Sequence, residues 1–346
     1  SLPTKIRRLD ESLVSVEDLS DFYDTLFAWD TSAENQEIQK QVRIRRECEE
    51  HPDLDTSPDE FVGTDHPDSH ITTISCVPVH YRIPTSSVQG VENSMVFGVL
   101  SDVSEGRTKR DSIRITWGQE NTVFFVIAGD WKDIEDEYTE YRDILWVDQP
   151  DIYRTEDTIA RKGALTFKSE AFLIAMHNQV VKQNPNVEYF FKTDDDSYID
   201  VHYLKQMIDS ESELKPVDYW GRCHDRVIPT RFESHKWYAS YKDYPFAFLP
   251  AYCFGSGYVI SPKFLECMVG EGHVEKVPYL TVEDSAVGLL AEKCGIEPLM
   301  NWLTTQVGIP EDLDFMKKMP VYKGVNSDAD MLKLHESFLR KWSEHR

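Results

Sequence analysis

The sequence lacks any run of 18 or more apolar residues, so no segment of it is predicted to cross a bilayer as a helix. It has no Cys-x-x-Cys pair, which argues against a zinc site or a thioredoxin-like redox motif. No Asn-x-Ser/Thr sequence and no signal-peptide pattern supports secretion. Its six scattered cysteines are therefore expected to be either buried thiols or a few disulfides.

Positive charge is also scarce, because 37 Lys and Arg residues face 61 Asp and Glu residues, for a net charge of −24. Nucleic acids and anionic membrane surfaces need a broad basic patch, so both are unlikely partners. Hydrophobic residues make up 40% and aromatic residues 12% of the chain, which is typical of a globular protein. A length of 346 residues allows one large domain or two ordinary ones.

The N-terminal quarter differs in amino-acid composition from the rest of the chain. Residues 1–85 are strongly acidic, contain few long apolar runs and include a Pro- and Asp-rich loop at residues 51–70. We interpret residues 1–85 as an appended stem without catalytic groups and residues 86–346 as the catalytic domain.

From Met95 onward, short unbroken apolar runs alternate with helical patterns. The runs are rich in Val and Phe, as expected for strands buried on both faces: Met95–Leu100, Thr122–Ala128, Asp143–Val147 and Tyr189–Phe191. Alternation of strand and helix predicts an α/β fold with a mostly parallel central sheet flanked by helices. Ligands of such sheets bind beyond the carboxyl ends of the strands.

Three consecutive aspartates, Asp194–Asp196, follow the last of these strands at that end. Adjacent carboxylates repel, so a metal ion, a basic side chain or water must accommodate them. Carboxylates suit Mg²⁺ or Mn²⁺, and an Asp-x-Asp turn lets one ion bridge to a diphosphate. An EF-hand would require Gly where Ile199 stands, and a phosphatase motif would require Thr or Val where Tyr198 stands.

Four segments in order resemble the inverting β1,3-galactosyltransferase family, which includes β1,3-N-acetylglucosaminyltransferases and Fringe enzymes. They are RTKRDSIRITWG (107–118), YFFKTDDDSYID (189–200), KWYASYKDYPFAFLPAYCFGSGYVIS (236–261) and VEDSAVGLL (282–290). The resemblance covers about Met95 to Leu339 and does not include residues 1–85.

The resemblance implies a Rossmann-like GT-A fold, a UDP-sugar donor, Mn²⁺ as cofactor and a β1,3 linkage to a glycan or glycoprotein acceptor. It implies UDP-galactose first, with UDP-N-acetylglucosamine or a non-catalytic carbohydrate-binding protein as alternatives. It also implies a type II protein of the Golgi lumen whose membrane anchor lies upstream of Ser1. In an oxidising lumen, Cys253 and Cys294 are the first expected disulfide.

Carried over to this sequence, the Asp-x-Asp motif assigns Asp196 as the direct metal ligand, with Asp194 at the metal or the donor. Asp195 is expected to hold donor hydroxyl groups. Lys192 either pairs with the donor diphosphate or balances the carboxylates. A His normally completes the metal site, and here either His335 or Asn326 is expected to take that place.

An inverting transfer needs one general base, which removes the acceptor proton as the oxygen attacks the anomeric carbon. Asp284 is the predicted base and Glu283 the fallback, since both match the family's acidic pair before a helix. Arg110, Arg114, Gly255 and Gly257 are predicted to bind the donor. The acceptor is expected to stack on Trp237, Tyr238 and Tyr252.

Overall fold

The computed structural model describes most of the chain from residue 65 onward. The described residues are 65–75, 77–151, 164–225, 227–232, 235, 237–239, 244, 246–277, 279–301, 305–307 and 319–343. The predicted stem up to residue 64, together with Cys48 and Cys76, lies outside them.

Within these ranges the chain forms twelve strands. They are β1 (Ser69–Ile74), β2 (Val77–Arg82), β3 (Met95–Leu100), β4 (Thr122–Ala128), β5 (Ile144–Val147), β6 (Tyr189–Asp194), β7 (Ser197–Ile199), β8 (Tyr219–His224), β9 (Tyr252–Ile260), β10 (Leu299–Met300), β11 (Thr305–Val307) and β12 (Val321–Lys323). Nine of them form one sheet in the order β1-β2-β5-β4-β3-β6-β9-β8-β10. The other three form a small sheet in the order β11-β12-β7.

The α-helices of the same ranges surround the large sheet. They are α1 (Thr85–Gln89), α2 (Gly106–Arg114), α3 (Glu135–Tyr141), α4 (Ala164–Ala175), α5 (Val201–Ser212), α6 (Pro262–Leu265), α7 (His273–Lys276), α8 (Glu283–Lys293) and α9 (Asp328–Ser343). Short π-helical turns at Met176–Val181 and Glu266–Gly270 extend α4 and α6. No helix among the described residues combines the length and apolar character needed to cross a bilayer.

Apolar residues on both faces of the central strands explain their unbroken hydrophobic runs. Phe124 of β4 packs in the core beneath Phe172 of α4, whereas its neighbour Phe125 packs in the opposite core with Ile113 and Phe338. Successive side chains of a strand point to opposite faces, so both must be apolar when helices cover both sides. This arrangement confirms the predicted α/β fold.

The predicted parallel strands form the centre of the large sheet, and antiparallel strands extend it on both sides. The four central strands β5-β4-β3-β6 are parallel, as is the short β8–β10 pair. The pairs β1–β2, β2–β5, β6–β9 and β8–β9 are antiparallel. The parallel centre brings the carboxyl ends of β3 and β6 to one edge, with Leu100 paired to Asp194.

The predicted boundary at residue 85 leaves two strands outside the domain to whose sheet they belong. Strands β1 and β2 belong to the large sheet, since β2 pairs with β5 through Tyr81 and Arg82. Asp68 is buried and accepts hydrogen bonds from the Tyr138 hydroxyl (2.8 Å) and the Thr85 amide (2.9 Å). The domain that contains the large sheet therefore begins no later than Asp68.

Two disulfides lie in the described part, and neither is the expected Cys253–Cys294 pair. Cys253 is bonded to Cys223, its direct partner across the antiparallel β8–β9 ladder. Cys294 at the end of α8 is bonded to Cys267. The prediction failed because the strand register that sets Cys253 beside Cys223 is not visible in the spacing of cysteines.

A glycine in β3 makes room for the helix above it, and enlarging it should destabilise the domain. A Cβ atom on Gly98 would lie 2.6 Å from ring atoms of Phe172. We expect Gly98→Ala to lower the free energy of unfolding by about 1–3 kcal/mol in urea titrations, because the core must shift to admit the methyl group.

Gly90→Ala is the matched control. Its Cβ would lie 3.4 Å from the nearest atom, and its φ of −93° suits any residue. We expect a change within about 0.5 kcal/mol. Equal stability of the two variants would contradict close packing of α4 on β3.

Candidate active site

The three aspartates lie at the carboxyl edge of the parallel strands, as predicted. Asp194 ends β6, and Asp195 and Asp196 form the turn that leads into β7. The Asp195 amide donates to the carbonyl of Leu100 at the end of β3 (3.1 Å). The turn is therefore anchored to the neighbouring strand before any side chain is considered.

A lysine that the sequence analysis did not single out lies between two of these carboxylates. Lys323 Nζ donates to Asp194 Oδ2, and it lies 3.1 Å from Asp196 Oδ1. Its strand β12 is antiparallel to β7, with Lys323 opposite Ser197. The amides of Gly324 and Val325 both donate to the carbonyl of Asp196 (2.9 and 2.8 Å), which fixes β12 beside the turn.

Charge pairing dominates the ionisation of this pair. Burial alone raises the pKa of Asp194, but the ammonium groups of Lys192 and Lys323 hold it at about 2. Burial alone lowers the pKa of Lys323, yet Asp194 and Asp196 raise it above its usual value. Both groups are therefore charged at neutral pH.

Asp195 faces a different set of partners. It accepts a hydrogen bond from the Ser101 hydroxyl (2.7 Å) and one from Lys109 Nζ (3.1 Å). Arg110 Nη1 donates to the same hydroxyl oxygen of Ser101 (2.8 Å). Ser101 directly follows β3, so the ends of β3 and β6 are joined by side chains as well as by backbone.

Lys192 connects the aspartate turn to the acidic pair that begins α8. Its ammonium group is 2% exposed and donates to Asp194 Oδ1 (3.0 Å), Glu283 Oε2 (3.1 Å) and the Gly255 carbonyl (2.8 Å). All three N–H groups are used in this way. Of the two roles left open for Lys192, the structure therefore favours charge balance over contact with a donor diphosphate.

Glu283 is buried and engaged on both carboxylate oxygens. Besides Lys192, it accepts hydrogen bonds from the hydroxyl groups of Ser169 (2.7 Å) and Tyr258 (2.6 Å). These three hydrogen bonds occupy both carboxylate oxygens, which argues against the fallback role of Glu283 as the base.

Asp284, the predicted base, is half-buried beside it. Its Oδ2 atom accepts one hydrogen bond, from the Gly255 amide (3.0 Å). Burial and the negative charge of Glu283 raise the pKa of Asp284 to about 7. A base with a pKa near the working pH is well suited to accept a proton from a hydroxyl group.

The two glycines of the predicted donor site have different roles. A Cβ on Gly255 would lie 2.7 Å from Glu283 Oε2, 2.9 Å from Lys192 Nζ and 3.2 Å from Asp284 Oδ1. Gly255 therefore belongs to the site. A Cβ on Gly257 would instead lie 2.8 Å from the Phe191 ring and close to Val321, so core packing alone explains this glycine. Its donor-binding role stays a prediction.

The structure contradicts the predicted donor contacts of Arg110 and Arg114. Arg110 is fully buried, and its guanidinium donates to both oxygens of Glu137 (2.8 and 2.5 Å). Arg114 donates to Asp143, Glu137 and Asp111 at 2.7–2.9 Å. These bonds engage both guanidinium groups. Arg110 therefore contacts the site through its hydrogen bond to the Ser101 hydroxyl.

The aromatic residues predicted to bind the acceptor are not equivalent. Trp237 is 54% exposed and Tyr238 is half-buried, so both can present ring surface. Tyr252 is buried and packs edge-on against Phe254 and His224, which makes it part of the core. The acceptor role of Tyr252 is therefore corrected, and those of Trp237 and Tyr238 stay predictions.

The two candidates for a third metal ligand have other engagements. His335 Nδ1 is hydrogen-bonded to the Tyr198 hydroxyl (3.2 Å), and Asn326 is exposed and donates to the Gly324 carbonyl (3.2 Å). Within the described ranges, three His, Cys, Asp or Glu ligand atoms converge within 4.8 Å only at Cys267, His273 and Cys294. The Cys267–Cys294 disulfide removes those thiols as ligands.

The residues present do not fit the implied Mn²⁺ at the aspartate turn. Lys323 takes the place between Asp194 and Asp196 where a bridging ion would bind, and Lys192 takes the other oxygen of Asp194. An ammonium group held there repels a divalent cation. The assignment of Asp194, Asp196 and His335 as metal ligands is therefore not supported by this arrangement.

Comparison with known proteins shows that most of these site residues lie within a matched family model. The family model described as Galactosyltransferase matches residues 108–301, which is more than half of the chain. The chain belongs to the galactosyltransferase family. The family match includes the aspartate turn, Gly255 and the Glu283–Asp284 pair, and it ends before Lys323.

Three relatives within the galactosyltransferase family show the range of similar proteins. Beta-1,3-galactosyltransferase 5 of Pan troglodytes is 29% identical over 54% of this chain and 62% of its own. UDP-GalNAc:beta-1,3-N-acetylgalactosaminyltransferase 1 of Rattus norvegicus is 30% identical over 59% of this chain and 58% of its own. Lactosylceramide 1,3-N-acetyl-beta-D-glucosaminyltransferase A of Xenopus laevis is 24% identical over 68% of each. The matches span less than two thirds of the first two relatives.

Proposed function

We propose that this chain is an inverting β1,3-glycosyltransferase that transfers a hexose from a UDP-sugar to a hydroxyl group of a glycan acceptor. The observation that carries the proposal is the placement of Asp284. Its carboxylate has a raised pKa and is joined through Glu283 and Lys192 to the aspartate turn at the strand ends. One base next to a nucleotide-sugar site is the minimum that inverting transfer requires.

In this mechanism Asp284 accepts the proton of the acceptor hydroxyl as its oxygen attacks the anomeric carbon. The bond from that carbon to the diphosphate breaks on the opposite face, which inverts the configuration. Lys192 holds the carboxylates of Asp194 and Glu283 in position through its hydrogen bonds. Gly255 holds Asp284 through its amide and leaves room for the three side chains around it. These steps do not involve the predicted Mn²⁺, because Lys323 occupies the position between Asp194 and Asp196.

Galactose is the first candidate for the transferred sugar, in line with the name of the primate relative. The rat and frog relatives carry names for N-acetylgalactosamine and N-acetylglucosamine transfer, so UDP-N-acetylhexosamines are the second candidates. The Golgi location with an upstream anchor, and the glycoprotein or glycan acceptor, remain proposals derived from the same family.

The proposal is tested by measuring UDP release from UDP-galactose, UDP-N-acetylgalactosamine and UDP-N-acetylglucosamine. Each donor is tested first alone and then with a panel of β-glycosides as acceptors. We expect one donor to be turned over at least tenfold faster than the others when an acceptor is present. NMR of the product should show a β1,3 linkage formed from the α-linked donor. UDP binding without any turnover across the panel would favour the non-catalytic alternative, and absence of UDP binding would contradict the proposal.

A further inference from the structure

Lys323 lies where the function proposed above would otherwise require a metal ion. Its ammonium group bridges the first and third carboxylates of the Asp-x-Asp turn, Asp194 and Asp196. These are the two side chains whose spacing suits a cation that also contacts a diphosphate. A single positive charge from the protein therefore stands at that position.

The position of Lys323 follows from the backbone rather than from a flexible surface contact. It is the last residue of β12, opposite Ser197 of β7, and its two successors donate their amides to the Asp196 carbonyl. A one-residue shift of this register would turn the side chain to the other face. The preceding residue, Tyr322, already faces the core beside Phe338.

The ammonium group of Lys323 can still donate a hydrogen bond to a ligand. Lysine has three N–H donors, and among the described residues two of those of Lys323 are directed to Asp194 and Asp196. The side chain is 29% exposed, so the third donor can be approached from solvent. A diphosphate oxygen is a strong acceptor for such a charged donor.

A divalent ion that bridged Asp194 and Asp196 would compete with this ammonium group for the same position. Lys192 and Lys323 each hold one oxygen of Asp194, so an ion could bind Asp194 only after one lysine had moved away. Displacing Lys323 would leave a cation beside the entering ion, and displacing Lys192 would strip Glu283 of its buried counter-charge. Both routes are unfavourable.

We propose that Lys323 replaces the divalent cation in this chain and that the donor diphosphate binds to it directly, without Mn²⁺. This rests on the proposed use of a UDP-sugar. As the bond from the anomeric carbon to the diphosphate oxygen breaks, its electron pair stays on UDP, and Lys323 stabilises that negative charge by a hydrogen bond. Asp284 takes the acceptor proton in the same step, so no further reactant is needed.

The test is titration calorimetry of UDP with the purified chain in EDTA and again with Mn²⁺. For the wild type we expect the two dissociation constants to agree within about threefold. Lys323→Met should weaken UDP binding in EDTA by about 10- to 100-fold, the effect of losing one charge-assisted hydrogen bond. Lys263→Met is the matched control, since Lys263 is 72% exposed and pairs with Asp218 at the opposite edge of the sheet.

A third variant, Lys323→His, should reverse the metal requirement. An imidazole beside two carboxylates offers three ligands that suit Mn²⁺. We expect this variant to bind UDP weakly in EDTA and at least tenfold more tightly with Mn²⁺. Thermal melting of each variant separates loss of binding from loss of folding, and the EDTA comparison on the wild type does not depend on any variant.

The outcomes separate this inference from the proposed function. UDP binding by the wild type only with Mn²⁺ would overturn the inference and leave the glycosyltransferase proposal intact. Binding in EDTA that Lys323→Met does not weaken would also overturn it. No UDP binding under either condition would overturn both.

Discussion

Asp284→Asn is expected to lower kcat for sugar transfer by about 10²- to 10⁴-fold, the contribution typical of a positioned general base. The amide matches the carboxylate in shape and can still accept the hydrogen bond from the Gly255 amide, so the fold should persist. UDP affinity should change by less than about twofold, since no donor contact is assigned to this side chain. Steady-state kinetics and UDP calorimetry on the same preparation measure both effects.

The pH profile provides a signature that a structural role of Asp284 would not produce. The base must be deprotonated to act, and its pKa is raised to about 7, so wild-type kcat should fall as the pH drops below that value. The residual kcat of Asp284→Asn should not show this decrease at low pH. Asp130→Asn, which removes an exposed carboxylate paired with Lys132, is the control and should keep the wild-type profile. A variant Asp284→Asn that retains a third of wild-type kcat would exclude this residue as the base.

Lys192→Met is expected to have the largest effect on stability. The substitution keeps the apolar stem but removes the buried cation that faces Asp194 and Glu283. Removing one partner of a buried ion pair leaves an uncompensated charge, which typically costs about 3–5 kcal/mol. Urea unfolding at pH 7 measures the loss, and Lys263→Met should stay close to the wild type.

The effect of Lys192→Met should depend on pH in a defined direction. Asp194 has a pKa of about 2 in the folded wild type, below the ordinary carboxyl value of about 3.9. The stability that this shift provides is fully present above the ordinary value and is lost as the pH falls through the folded one. The difference between wild type and variant should therefore be largest above pH 4 and narrow towards pH 2. A constant difference would show that lost packing, not lost charge, causes the destabilisation.

Local sequence patterns predicted the strands and the place of the aspartate turn well. The apolar runs at Met95–Leu100 and Thr122–Ala128 are the strands β3 and β4 within the stated bounds. Such runs report burial on both faces directly, and the edge of a parallel sheet then follows from chain direction. β1 and β2 were not predicted, because their sequences SHITTI and VPVHYR lack the unbroken apolar runs of the central strands and lie within the segment interpreted as a stem.

Partners distant in sequence could not be predicted from residue types alone. Arg110 looked like a donor-binding residue until the structure placed it against Glu137. Lys323 lies 127 residues after Asp196, and no local pattern distinguishes it from a surface lysine. Lysine is not among the residue types that bind divalent metals, so a pattern of metal ligands does not include it. Only the register of β12 against β7 reveals it.

The small sheet β11-β12-β7 lies largely beyond the segment that identifies the family, since the family match ends at residue 301 and β12 begins at Val321. If Lys323 replaces the metal ion as proposed, a single substitution on β12 is expected to change how the enzyme responds to chelators while the motifs in residues 108–301 stay the same. Two relatives that are equally similar over residues 108–301 can differ in this respect. On the same proposal, dependence on a metal would be determined by a short C-terminal strand, independently of the general base.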